Sequence, residues 1–389
     1  MKLSVIVCLN NTKKEALDRC LNSVFTSTLK DYEVVVIDDG STVDYSQITE
    51  KYHPVYVKTP HRGDLAARTY GLMLAKGEYV TFLNPSEAVT FNYYESMVEG
   101  AQDCDIIMNG YCYKTENNFV CCEGDVFDGE VCFTEDEVLR EYAKQGAKAQ
   151  SIFALCNKVY KRSLLLTAKA ELEKTDAIMK KASCAEDMLI NFFAFKNAKK
   201  FKNINTGYCI SYIYEENSTE EKANQIDTVS ANFDVMLGCT IENKYAEEIK
   251  ENIKAWKGFV CRGQYASVQN DKSLCEHVKN AYKVTEIAPL TKGETKCFLA
   301  SKTLGKNFDG VDKILRFIYK NRKDVSINYD VNDKYVIKSL ELIAKQTGIT
   351  ITPAKNAPIV IQKEKTSFFG KLFKKAEIVL PKMMLAQKK

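Results

Sequence analysis

Two carboxylates stand side by side in EVVVIDDGSTVD, residues 33–44, directly after a run of apolar residues. Asp and Gly routinely follow strands, because they suit the turns that end them. At the carboxyl end of a parallel strand, however, Asp38 and Asp39 face the crevice where α/β sheets bind ligands. A carboxylate there can accept from a ribose hydroxyl or from the N–H of a base. A second stretch, GEYVTFLNPSEAV (77–89), reads as a strand that runs out to a polar lip, Asn84-Pro85-Ser86-Glu87, where Pro offers no N–H to a ladder. An enzyme that handles phosphates usually places carboxylates on such a lip for a divalent cation, and only Glu87 is charged. A third acidic pair, Glu186-Asp187 in AEDMLINFF, opens a helix, where the dipole favours any acid.

The elements that must position these groups alternate strand and helix over the first 115 residues, the pattern of a parallel sheet. Residues 3–8 and 32–37 are near-continuous apolar runs, as strands covered on both faces require. Between them, 13–28 carries a helical stripe at Ala16, Leu17, Cys20, Leu21, Val24 and Phe25. A short strand at 55–58, a helix at 64–76 and the strand 79–83 follow. Further on, 91–100 reads as helix, 105–113 as strand, 114–132 as loop or hairpin, 135–145 as helix, 187–198 as an amphipathic helix and 208–214 as strand. The first domain is expected to span 1–220, followed by a helical region at 225–325 and a small α/β segment at 326–362. That segment reads as a helix over 334–346 with strands at 349–352 and 358–361.

Composition excludes several classes. No run of about 18 apolar residues occurs, so no helix spanning a membrane is expected. The chain opens on KLSVIVCL as a strand without a signal-peptide layout, and a cytoplasmic protein is expected. The 14 Cys are irregularly spaced, and Cys8, Cys156 and Cys209 sit in apolar runs where a thiol serves as a small hydrophobe. His53, His61 and His277 form no ligand pair. The net charge of +4 is uneven: eight Lys and two Glu after residue 362 give +6, leaving −2 for residues 1–362. A near-neutral body argues against a nucleic-acid partner. In the tail, SFFGKLFKKAEIVL (367–380) sets Phe368, Phe369, Leu372 and Phe373 on one helical face with Lys elsewhere. That pattern suits either an inner-leaflet membrane contact or a packing helix with a solvated Lys face.

Four blocks in order resemble family 2 glycosyltransferases of the GT-A fold, the inverting nucleotide-sugar enzymes. They are residues 4–44, HRGDLAARTYGLMLAKGEYVTFL (61–83), CNKVYKRSLL (156–165) and AEDMLINFFAFKNAKK (185–200), covering roughly 1–215. The resemblance implies a GT-A fold: a mixed, mainly parallel sheet flanked by helices. It implies that Asp38, Asp39 and Arg68 hold the nucleotide, most often uridine, with Cys8, Gly63 and Asn84 beside it. Asp187 is implied as the general base toward a glycan or lipid-linked acceptor, in cell-surface polysaccharide synthesis. The family's Asp-x-Asp is replaced by Asn84-Pro85-Ser86-Glu87, which leaves Glu87, with Ser86, as the remaining metal ligands for Mg²⁺ or Mn²⁺. His61 and Thr69 also stand where Asn is common. If Arg68 or Lys side chains supply the positive charge, diphosphate affinity should depend little on metal. A non-catalytic scaffold or regulator that has lost the metal site is the alternative reading of the same lip.

Overall fold

The computed structural model describes residues 1–101, 103–114, 119–122, 130–146, 150–175, 185–212, 218–291 and 301–303, with residues 312, 315–316, 325–329, 339, 342, 351–353 and 360–363. The tail from 364 onward, including the amphipathic stretch, lies outside the described residues, as does most of 334–346.

Strand β1 (Leu3–Leu9) is buried along its whole length at the centre of the sheet. Its sequence LSVIVCL suits this place, because a central parallel strand has a helix layer on each face. It pairs in parallel with β2 (Tyr32–Asp39), Leu9 lying opposite Asp38, and with β4 (Tyr79–Leu83), Val7 lying opposite Leu83. β3 (Val55–Thr59) extends the parallel set beyond β2. The chain thus returns to both sides of β1, and a crevice opens at the carboxyl ends of β1 and β4.

The remaining strands are β5 (Glu87–Val89), β6 (Ile106–Lys114), β7 (Phe119–Cys122), β8 (Val131–Thr134), β9 (Lys158–Lys161), β10 (Lys200–Tyr212) and β11 (Ser301–Thr303). Antiparallel β9 lies between β4 and β6. β10 runs parallel to β6 and antiparallel to β5 and β8. It begins at Lys200, eight residues before the strand expected at 208, because its first half is a buried pairing seam broken by a register shift between Asn203 and Tyr208. A separate three-stranded sheet joins β12 (Val325–Tyr329), β13 (Ile351–Pro353) and β14 (Val360–Lys363).

Helices α1 (Lys14–Phe25), α2 (Ser46–Tyr52) and α4 (Tyr93–Gly100) cover one face of the sheet. The other face carries α3 (Asp64–Leu74), α5 (Asp136–Gly146), α6 (Arg162–Leu172) and α7 (Glu186–Asn197). α3 lies close on the sheet because Gly71 leaves room for Ile6; an added Cβ would meet the Ile6 side chain at 2.5 Å. α7 was expected to be amphipathic, yet Met188 to Phe195 are all buried. It is sandwiched between the sheet side and helices α8 (Thr219–Gly238) and α9 (Ala246–Ser267) of the helical region. α10 (Lys272–Tyr282) packs against α8 and α9. Val229, Phe233, Ile253 and Trp256 share one core with Ile6 and Phe82, so apolar burial runs unbroken across residue 220.

Candidate active site

The DDGS turn is built first. Asp38 is fully buried; Oδ1 accepts from the Ser41 N–H at 2.8 Å and Oδ2 from the Tyr56 hydroxyl at 2.5 Å. Asp39 Oδ1 accepts from the Arg62 N–H, and Oδ2 from the Gly63 N–H, each at 2.8 Å, with His61 Nδ1 also 2.8 Å from Oδ2. Gly40 sits at φ +78°, and a Cβ there would meet the His61 backbone N at 2.7 Å, so only glycine lets the two loops touch. The Asn11 amide oxygen takes the Thr42 N–H and hydroxyl, both at 2.9 Å, and Asn10 donates to the Asp39 carbonyl at 2.5 Å. Both aspartates therefore lash three loops into one rim. Beside that rim the cleft is lined by Cys8, Asn10 and Thr12.

Arg68 lies on α3, 5% exposed. Its Nε donates to Glu186 Oε1 at 2.7 Å, and its Nη2 donates to Asn84 Oδ1 at 2.9 Å and lies 3.2 Å from Asp187 Oδ1. One guanidinium thus binds the start of α7 to the lip, a planar fork suited to several oxygens at once. Two of the three guanidinium nitrogens, Nε and Nη2, are thus already engaged by Glu186, Asp187 and Asn84, while Arg68 still lines the cleft.

Asp187 opens onto a cleft of about 970 Å³. Its side chain keeps 26% of its surface, and Oδ1 takes no hydrogen bond among the described residues apart from the Arg68 ion pair. Burial raises its carboxyl above the ordinary carboxylate range; Arg68 opposes that rise, and Glu186 and Glu87 add to it. A carboxylate that is partly exposed along the cleft and raised in basicity is suited to take a proton from an alcohol.

At the lip, Glu87 Oε2 accepts from the Asn84 N–H at 2.7 Å and Oε1 from the Asn84 side-chain amide at 3.1 Å. Glu87 is 4% exposed, and burial raises its carboxyl too. Cys156 and Cys209 lie beside it, their thiols pushed up by burial and hydrogen-bonded in a chain toward Glu87. Asn84 turns its amide oxygen to a guanidinium, and the Glu87 carboxylate is folded back on Asn84. These residues do not fit a resident Mg²⁺ or Mn²⁺, which wants charged oxygens aimed at one point. The described lining nevertheless carries four carboxylates, on Asp64, Glu87, Glu186 and Asp187, against Arg68 alone.

Several supporting residues escaped the sequence reading. Lys158 is fully buried, and its amine donates to the carbonyls of Ile152 at 3.0 Å and Ala154 at 2.6 Å and to Asn157 Oδ1 at 2.8 Å. Burial pulls that amine down to about 7. Asn191 accepts from the Tyr160 hydroxyl at 2.6 Å and donates to the Phe153 carbonyl at 2.6 Å and the Asp187 carbonyl at 3.0 Å. Asn232 of α8 donates to the Ala185 carbonyl at 2.9 Å, holding a residue at φ +58° just before the acidic pair. Polar residues inside apolar helical stretches, LINFF and SANFD, were the available signal.

The far wall of the cleft comes from the helical region: Gln225 and Val229 on α8, with Phe259, Val260, Gly263 and Gln264 on α9. No helix of the described residues is long and apolar enough to cross a membrane.

Residues 4–120 match the profile of the family described as Glycosyl transferase family 2. The chain is 25% identical over 222 residues to the uncharacterized glycosyltransferase EpsJ of Bacillus subtilis, covering 55% of this chain and 61% of that one. It is 27% identical over 224 residues to a cholesterol galactosyltransferase of Borreliella burgdorferi, covering 54% and 60%. It thus spans less than two thirds of the length of these curated relatives. Among solved structures, residues 1–349 of TarS from S. aureus, crystallised with UDP-GlcNAc, superpose with a TM-score of 0.55 at 15% identity, covering 94% of this chain and 97% of that one. The sheet order, the cleft at its carboxyl edge and these likenesses agree: residues 4–120 carry the glycosyl transferase family 2 profile, and the chain has the GT-A fold.

Proposed function

We propose that the chain transfers a sugar from a nucleotide donor, a uridine diphosphate sugar, to a hydroxyl of a glycan or lipid-linked acceptor with inversion, in cell-surface polysaccharide synthesis. Asp187 carries this reading: its partly exposed carboxyl, raised by burial, lines the cleft at the start of α7. Asp187 takes the acceptor proton as the hydroxyl oxygen attacks the anomeric carbon. The bond from that carbon to the diphosphate oxygen breaks, and the nucleoside diphosphate leaves with the electron pair. Arg68 and Asn191 keep the base in place, and the rim built by Asp38 and Asp39 shapes the nucleotide end. No step is assigned to a metal, because the lip does not fit one.

Asp187→Asn should lower turnover by about 10²–10⁴-fold while donor affinity holds. Nucleoside diphosphate release, followed with a panel of nucleotide sugars and acceptors, measures the first, and calorimetry the second. An unchanged rate removes Asp187 from the mechanism. The folded-back Glu87 favours the second reading, a glycosyltransferase-like scaffold or regulator. Nucleotide binding without turnover in the unmodified protein would establish that reading instead.

A further inference from the structure

We propose that the helical wall of the cleft is a subsite for an uncharged, hydroxyl-bearing sugar of the acceptor, read by the carboxamides of Gln264 and Gln225. The inference rests on the glycosyl-transfer reading above and adds the chemical class of the acceptor. Every charged residue described along the cleft belongs to the GT-A side, from Asp64 to Asp187. From there onto α8 and α9 the described lining is amide, hydroxyl, glycine and hydrocarbon. A phosphodiester or carboxylate group on the acceptor would lose its water there without a cation to replace it, a cost that sugar hydroxyls do not meet.

Gln264 is also held in advance. The hydroxyl of Tyr282, a buried residue of α10, donates to Gln264 Oε1 at 2.7 Å. Burial pushes the Tyr282 phenol up, so it stays a donor across the working pH range. With its oxygen held by Tyr282, Gln264 keeps two amide N–H donors that take no partner among the described residues, in a side chain that lines the cleft, where a sugar hydroxyl or ring oxygen can accept them. A preset donor costs less entropy on binding than a free side chain. Gly263 leaves the helix backbone open beside it, and Val229 and Val260 offer apolar surface for the C–H face of a ring.

Saturation-transfer NMR on the full chain with uridine diphosphate present tests this. The probes are the methyl glycosides of glucose, galactose and N-acetylglucosamine, and a glycerol phosphate oligomer as the anionic comparator. At least one glycoside should give transfer and the oligomer none. Gln264→Glu keeps the size, removes the donors and adds charge, and should weaken glycoside binding at least tenfold. Tyr282→Phe should weaken it about threefold, and both variants should keep the uridine diphosphate affinity and the melting temperature of the unmodified protein. Transfer from the oligomer without the glycosides, or unchanged glycoside binding in Gln264→Glu, overturns the inference while leaving the glycosyltransferase reading intact. Absence of uridine diphosphate binding in the unmodified protein overturns that reading and this inference with it.

Discussion

Asn84 stands where the family's first metal carboxylate is expected, and restoring it by Asn84→Asp has a cost that the contacts define. The new carboxylate would keep the 2.9 Å contact with Arg68 Nη2. Its second oxygen would replace the amide nitrogen 3.1 Å from Glu87 Oε1, turning a hydrogen bond into two facing anions. At an effective dielectric of about 20, the Arg68 attraction and the Glu87 repulsion are each about 5 kcal/mol and nearly cancel. What remains is the lost hydrogen bond to a buried carboxylate, about 1–3 kcal/mol of stability. The same facing pair gives Mn²⁺ the charged oxygens that the unmodified lip lacks. At a free Mn²⁺ concentration of 100 times its dissociation constant, the variant should regain about 2.7 kcal/mol. Urea unfolding of both proteins, with chelator and with Mn²⁺, reads these differences directly. The unmodified protein should be indifferent to the ion. An equal Mn²⁺ gain in both proteins, or an Asn84→Asp variant that is neither weakened nor metal-responsive, would refute the description of the lip.

Three further outcomes are expected. With four lining carboxylates against a committed Arg68, a nucleoside diphosphate needs its countercharge from an ion carried on its own phosphates. Chelation should therefore weaken uridine diphosphate binding by more than tenfold, about 1.4 kcal/mol by calorimetry, the reverse of what a free Arg68 would give. As the proposed base, Asp187 must be deprotonated, so activity should fall as pH drops through its raised pKa, on a limb above the ordinary carboxylate range. Because Arg68 holds that carboxyl down, Arg68→Met should move the limb to higher pH and Arg68→Lys should move it less, in pH–rate profiles of kcat/KM. Lys158→Met leaves the carbonyls of Ile152 and Ala154 without their donor and should cost about 3 kcal/mol or more in urea unfolding.

The parallel core of the fold was legible because its signal is local. Continuous apolar runs at β1 and β2 and a small-residue helix at α3 have few other uses. The pairing partners were not legible, because they depend on distant segments: β5 is three residues long, and β10 takes its register from β5, β6 and β8 together. Asp187 is proposed as the base from its block alone, and its surroundings could not be read there. Asn191 sits one helical turn beyond it, whereas Asn232, which fixes Ala185, comes 45 residues after Asp187 in the chain, on a helix that seemed to belong to another region.

The lip shows the same limit at one residue. Read along the chain, Asn84 is a lost ligand, since an amide cannot replace a carboxylate beside a hard cation. In the fold it is a connector that accepts from Arg68 with one atom and donates to Glu87 with the other. An amide can do both, whereas a carboxylate has no donor and an alkyl group has neither function. The replacement therefore has a structural consequence of its own: it ties the arginine that braces Asp187 to the Glu87 carboxylate at the cleft. A lip without a metal carboxylate and Asp187 as the proposed base are then compatible. The Arg68 clamp keeps Asp187 placed whether or not an ion is ever bound at the lip.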